Sequence, residues 1–208
     1  MNKNIGVLFD LDGVLIDTES RYTEFWAEIA STYDTGIEDF AYHIKGNNLQ
    51  RILTTYFPTE MHNDLIEYVH RLEENMVYEI FDGVIELLEE LKAQDIPFAI
   101  VTSSGMEKME RLRKQQPEFV AYFDHIVTGD MVNNSKPHPE CFLKGAELIN
   151  RDIRDCYVFE DSPAGIEAGL SSGATVIALT TTIRPEHINH QVHQIHPSIK
   201  SAAKSFFR

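Results

Sequence analysis

Cysteine is scarce in this 208-residue chain. Cys141 and Cys156 are too far apart for a Cys-x-x-Cys element and too few for a disulfide framework. They read as ordinary thiols of a reducing compartment, and a cytoplasmic location is expected. Basic residues are also in short supply, 18 against 33 acidic ones, and the formal net charge of -15 opposes nucleic-acid binding over most of the surface. Long apolar runs are missing as well. The run that begins at Ile5 is cut short by Asp10 and Asp12, so neither a signal-peptide core nor a membrane span is expected. Internal repeats and low-complexity segments are lacking. What is present is 43% hydrophobic, enough for one good-sized domain carrying a modest insertion. The acidity sets a condition on any anionic substrate: it can bind only where local cations or backbone N–H groups overcome the global field.

Short apolar runs recur at residues 5–10, 97–102, 125–129, 156–160 and 175–179. Each has strand length. Between them lie segments of helical period, such as Val84, Leu87, Leu88 and Leu91, or Phe142, Leu143, Ala146 and Ile149. This alternation requires crossover connections and predicts an α/β fold. Its core would be a Rossmann-like parallel sheet in a three-layer α/β/α arrangement, with functional groups at the carboxyl ends of the strands. Residues 18–80 break the rhythm. Tyr22, Phe25, Trp26, Ile29 and Ala30 fall on one helical face behind Thr18 as N-cap, and helical pieces follow through Leu49, Ile52, Leu53 and Tyr56, then Leu65, Ile66, Val69 and Met76. The expectation is a core domain of residues 1–17 and 81–208 with a small inserted α-helical domain at 18–80. That insertion is expected to hold no strand, and to hinge near Asp17 and near residues 81–83.

The chemistry concentrates at the strand ends. Asp10-Leu-Asp12-Gly13-Val-Leu-Ile-Asp17-Thr18-Glu19 follows the first strand, and two carboxylates at the end of a buried strand are costly unless a cation or partner neutralises them. Thr102-Ser103-Ser104 ends the second core strand. Taken alone it is an ordinary turn. Ser135-Lys136-Pro137-His138-Pro139-Glu140 opens a helix, and Glu160-Asp161-Ser162-Pro163 ends a later strand, where Asp161 could equally be a helix cap before a Ser-Pro first turn. In this order the four segments resemble the four motifs of the haloacid dehalogenase superfamily. The Asp-Gly-Val-Leu-x-Asp-Thr-Glu run followed by a helical insertion is similar to the group that includes beta-phosphoglucomutase and small sugar-phosphate phosphatases.

The resemblance implies a Mg²⁺-dependent phosphohydrolase with a helical cap. Asp10 would be the nucleophile that forms an aspartyl-phosphate, Asp12 the general acid and base, and Lys136 the cation that neutralises both the phosphoryl group and Asp10. Thr102, Ser103, Ser104 and Gly13 would hold the phosphoryl oxygens. Asp10, Asp161 and the Asp12 backbone carbonyl would ligate Mg²⁺, with Glu160 a further ligand directly or through water. Tyr22, Lys45 and Arg51 are candidate substrate contacts in the cap. Mg²⁺ keeps several waters in an all-oxygen shell, which suits this set.

Two departures count against the mutase. The family's usual histidine, four residues after the threonine of the first motif, is here Tyr22, and the cap segment Lys45-Gly46-Asn47-Asn48-Leu49 carries leucine where the mutase has arginine. Transfer to water is therefore expected, from a small phosphorylated metabolite such as a sugar or sugar-acid phosphate. A beta-phosphoglucomutase-type mutase and an inorganic pyrophosphatase are the alternatives, and an idle binding module is disfavoured because Asp10, Asp12, Lys136 and Asp161 are all present. A dehalogenase proper would not need the acidic Glu160-Asp161 pair. A monomer is expected, with no membrane or nucleic-acid partner. His187, His190, His193 and His196 recur every three residues, which drifts around a helix and forms no single ligand face, so solvated histidines are expected there.

Overall fold

The structure, a computed structural model, describes residues 4–45, 47–188 and 191–206. Its strands are β1 (Gly6–Phe9), β2 (Ile16–Asp17), β3 (Glu79–Ile80), β4 (Phe98–Val101), β5 (Ile126–Val127), β6 (Cys156–Glu160), β7 (Thr175–Leu179) and β8 (Gln194–His196). Its α-helices are α1 (Glu19–Thr32), α2 (Phe40–His43), α3 (Leu49–Tyr56), α4 (His62–Glu74), α5 (Val84–Ala93), α6 (Met106–Gln115), α7 (Pro117–Val120), α8 (Glu140–Leu148), α9 (Pro163–Ser172) and α10 (Ile199–Phe206).

Six strands form one sheet in the order β5-β4-β1-β6-β7-β8, every neighbouring pair parallel. Both faces are covered, so the strands read as unbroken apolar runs, and the period of two shows only in which helices each residue meets. Val7, Phe9, Phe98, Ile100, Phe159, Ile177 and Leu179 pack in one cluster with α5, α6 and α10. Leu8, Ala99, Val101, Val158, Val176 and Ala178 pack in another with α8 and α9. This is the expected α/β architecture. β1 is central, and the chain leaves it for β4 on one side and returns to β6 on the other. The crevice at such a reversal lies beyond the carboxyl ends of the strands.

The helices between β2 and β3 enclose their own cluster, built on Phe25, Trp26, Ile29, Phe40, Ile52, Leu53, Leu65 and Val69. Three local expectations are corrected. First, the two crossings between the helical segment and the sheet pair as an antiparallel ribbon, Ile16 opposite Ile80 and Asp17 opposite Glu79. β3 falls inside the stretch expected to hold no strand, because two residues are too few to show a period. Second, Thr18 occupies the N-cap of α1 without capping it, since its hydroxyl donates to Asp12 instead. Third, His193 and His196 are not simply solvated. His193 Nδ1 accepts the Val176 N–H at 3.0 Å, extending the ladder at the edge of β7, and His196 lies in β8. His187 is exposed and His190 lies outside the described residues.

No helix among the described residues is long and apolar enough to cross a membrane. Cys141 and Cys156 are free thiols, both buried.

Candidate active site

The ends of β1, β4 and β6 converge on one cavity of about 460 Å³, roofed by α1, α3 and α4. Asp10, Asp12, Tyr22, Lys45, Thr102, Ser103, Ser104 and Asp161 all line it. Arg51 does not. It lies in a second, more open cavity between α3 and the loop at 132–139, while its backbone N–H is capped by Asn48.

Asp10 follows β1 directly and is almost wholly buried. Lys136 Nζ donates to Asp10 Oδ1 at 2.5 Å, to Glu160 Oε1 at 2.6 Å and to the Val101 carbonyl at 3.2 Å. An ammonium has three protons, and all three have protein acceptors here. Lys136 therefore lies behind Asp10 as its counter-ion and is not part of the cavity wall. Burial pushes the Asp10 carboxyl up to about 8; the Glu160 and Asp12 carboxylates add to the rise and Lys136 opposes it.

Glu160 corrects an expectation. It is fully buried and does not line the cavity. Besides the bond from Lys136, its Oε2 accepts from the backbone N–H groups of Asp161 and Ser162 and from the Ser162 hydroxyl. Its carboxylate thus ties Lys136 to the β6–α9 turn. A Cβ on Gly165 would overlap that carboxylate, so the start of α9 must approach it without a side chain. Ser162, not Asp161, caps α9, accepting from Gly165 N at 3.1 Å, which leaves Asp161 to the cavity.

Gly13 has φ +79°, and a Cβ there would overlap both the Asp161 carboxylate and the Thr182 methyl. Thr182 in turn donates to the Asp161 carboxylate. Gly13→Ala is expected to cost about 1–3 kcal/mol in backbone strain, and to displace Asp161 enough to lower turnover about 100-fold. Thermal unfolding and steady-state turnover check the two parts separately.

Asp12 receives three donors: the Thr18 hydroxyl, the Ser104 hydroxyl at 2.9 Å and Lys108 Nζ at 2.5 Å. Burial alone would raise its carboxyl, but the Lys108 ammonium and the hydroxyls outweigh that and hold it below the ordinary range. Ser104, expected on a phosphoryl oxygen, thus has its hydroxyl on Asp12, while Thr102 Oγ1 accepts the Ser104 N–H at 3.0 Å and shapes the turn. Lys108 was not found by the sequence reading. It sits in Met106-Glu-Lys-Met-Glu110, which reads as the solvated face of a helix, yet only 3% of it is exposed. The one available signal was its place in the first turn after the Thr-Ser-Ser strand end. Lys45 is buried in the roof, donating to the Thr23 hydroxyl at 3.0 Å.

Four carboxyl groups (Asp10, Asp12, Glu160, Asp161) therefore share one largely buried cluster with two ammonium groups (Lys108, Lys136). Among the described residues no three His, Cys, Asp or Glu side chains form a closed metal cage. The carboxylates of Asp10 and Asp161 line the cavity with no Cys beside them, and oxygen donors of this kind fit Mg²⁺, which binds through one or two carboxylates and completes its shell with water and substrate phosphate. In the absence of metal, the wild-type protein should be destabilised relative to Asp10→Asn as pH rises. A carboxyl raised from 3.8 to about 8 on folding contributes fully below the lower value and loses that contribution as pH climbs to the upper one. The difference in Tm, mutant minus wild type in EDTA, is expected to widen between pH 4 and pH 8 and then level off.

The sequence model of the haloacid dehalogenase-like hydrolases matches residues 7–179, a span that runs from β1 to β7 and holds every cavity residue named above. The chain belongs to that family. This hydrolase is 37% identical over 176 residues to a phosphorylated carbohydrates phosphatase of Thermotoga maritima, covering 80% of the chain and 81% of that protein. It is 31% identical over 201 residues to hexitol phosphatase A of Escherichia coli K12, covering 91% and 92%. A crystal structure of a family IA, variant 3 hydrolase from Entamoeba histolytica superposes with a TM-score of 0.78 at 26% identity, covering 98% of the hydrolase and 100% of that chain.

Proposed function

We propose that this hydrolase is a Mg²⁺-dependent phosphatase of a small phosphorylated metabolite, a sugar, sugar-alcohol or sugar-acid phosphate, working through a phosphorylated Asp10. The observation that carries this reading is Asp10 at the end of the central strand, backed by Lys136 and opening into one cavity with Asp12 and Asp161. Phosphatases of carbohydrate and hexitol phosphates among its relatives support the substrate class. A cavity of about 460 Å³ suits a small metabolite, and its roof offers hydroxyl-binding groups at Thr23, Asn47, Asn48 and Gln50 beside the apolar Trp26, Ile44 and Val69.

In this reading residues 18–80 form a cap over a core of 1–17 and 81–208, with the β2–β3 ribbon as the hinge between them. Asp10, Asp161 and the Asp12 carbonyl would hold Mg²⁺, which supplies positive charge to the phosphoryl oxygens. An Asp10 oxygen attacks phosphorus, the P–O bond to the leaving group breaks, and Asp12 gives that oxygen a proton. Water then attacks the aspartyl-phosphate, Asp12 takes its proton, and the bond to Asp10 breaks to release phosphate. With three donors on its carboxylate, Asp12 rests as the base, so the proton for the first step arrives with the ester. Lys136 opposes the protonation of Asp10 that burial favours.

The test is phosphate release from sugar phosphates, sugar-alcohol and sugar-acid phosphates, nucleotides and pyrophosphate, with Mg²⁺ or EDTA. Mg²⁺-dependent release with the highest kcat/KM on a carbohydrate phosphate is expected. Release from pyrophosphate alone, or release undiminished by EDTA, overturns the reading.

A further inference from the structure

Lys108 is nearly as buried as Lys136, but the reaction described above assigns it no part. Its Nζ lies 2.5 Å from Asp12 Oδ1 on one side and 4.6 Å from the centre of the Tyr22 ring on the other. Tyr22 is itself held: its hydroxyl donates to Glu73 Oε1 at 2.6 Å, and Glu73 Oε2 accepts from Arg111. Arg111 stands three residues after Lys108 on α6, so the two project from neighbouring positions on one helix. The circuit is closed. The core supplies Asp12, Lys108 and Arg111, while the helical segment supplies Tyr22 from α1 and Glu73 from α4.

Two physical considerations separate a structural ion pair from a functional one. Asp12 keeps 14% of its side chain exposed, so without Lys108 water can still solvate it. Removing one partner of a fully buried ion pair is strongly destabilising, and the water that reaches Asp12 offsets part of that cost at Lys108. A lysine kept at this position for stability alone would therefore contribute less than Lys136 does. A carboxylate gripped from three sides is instead fixed in direction, as a group that must meet a leaving oxygen within hydrogen-bond reach requires.

We propose that Lys108 is a positioning residue: it aims the Asp12 carboxylate at the leaving-group oxygen, and the Tyr22 ring, braced by Glu73 and Arg111, keeps Lys108 in place. The placement of the helical segment then decides whether Asp12 is aligned. This rests on the reading that Asp12 transfers protons.

The experiment compares Lys108→Met, Lys108→Ala, Glu73→Gln and Asp12→Asn with the wild type, using the best carbohydrate phosphate from the panel and Mg²⁺. For Lys108→Met, kcat is expected to fall about 100-fold, the scale of effect of a misplaced reacting group, with KM nearly unchanged and a smaller loss of Tm than Lys136→Met shows. Added ethylamine is expected to restore part of kcat to Lys108→Ala, which also covers the case in which Lys108→Met folds poorly. Glu73→Gln should lower kcat in the same direction and by less. Wild-type kcat in Lys108→Met, or a loss in Lys108→Ala that ethylamine leaves untouched, overturns the positioning role while an inactive Asp12→Asn upholds the proton-transfer reading. Wild-type turnover in Asp12→Asn overturns both.

Discussion

Asp10→Asn is expected to lower phosphate release by about 10⁴-fold or more, the scale seen when a nucleophile is removed from a covalent mechanism. The substitution keeps size and shape and removes only the attacking oxygen's charge. It also deletes one of two carboxylates on Lys136, leaving Glu160 at 2.6 Å as its remaining anionic partner. The fold should tolerate this. Burial already works against an ionised Asp10, so a neutral amide in its place leaves Tm unchanged or higher without metal. A complete loss of activity with intact Tm therefore assigns the effect to chemistry. Acid quenching of the wild type during turnover, followed by mass spectrometry, should find phosphate on the peptide that contains Asp10 and on no other. Undiminished phosphate release by cleanly prepared Asp10→Asn would falsify the aspartyl-phosphate route.

Lys136→Met should be the most destabilising single change in the site. The lysine is 1% exposed, and its removal leaves Asp10 and Glu160 facing each other in the interior with no counter-ion. Removing one partner of such a buried pair costs about 3–5 kcal/mol. The cost depends on pH in a definite direction. Lys136 opposes the rise in the Asp10 carboxyl, so without it Asp10 holds its proton to higher pH still, and the loss of Tm should grow as pH rises beyond the wild-type value of about 8. Lys136→Met combined with Glu160→Gln removes one charge of each sign and should recover much of the lost stability, a coupling that a double-mutant cycle by urea unfolding would read directly. Activity should not recover. Loss of the cation at the nucleophile is expected to lower turnover by at least about 100-fold in both the single and the double variant. The smaller loss of Tm expected for Lys108→Met follows from the partial exposure of Asp12. Equal destabilisation by the two lysine substitutions would mean that burial does not distinguish the two pairs.

How much of this was legible in the residues varied with range. The strands that carry Asp10, Thr102 and Asp161 are short apolar runs ended by polar residues, and they stand where the sequence placed them. The helical stretch between β2 and β3 was legible too, because Tyr22, Phe25, Trp26 and Ile29 repeat at helical spacing over about two turns. Contacts between distant segments were not. Thr18 reads as an N-cap from its neighbours alone, and only the fold brings the first-motif loop back so that Asp12 claims its hydroxyl. Glu160 reads as a metal ligand because it adjoins Asp161. Alternation along β6 instead turns it inward to Lys136, 24 residues away in the chain.

The sequence by itself determined the α/β class, the helical segment between the first strand and the rest, and the strand ends at which the acidic and hydroxyl residues gather. Those features depend on local periodicity and turn chemistry, which a chain carries within a few residues of each position. Tertiary structure alone decided that Lys136 serves Asp10 and Glu160 from behind, that Lys108 grips Asp12, that Glu73 links Tyr22 to Arg111, and that Arg51 faces a different cavity from Lys45. Each depends on which side chains meet across 24 to 126 residues of chain. The pairing of buried charges is settled by which of those meetings neutralises a group that has lost its water, a quantity defined only once the core has closed.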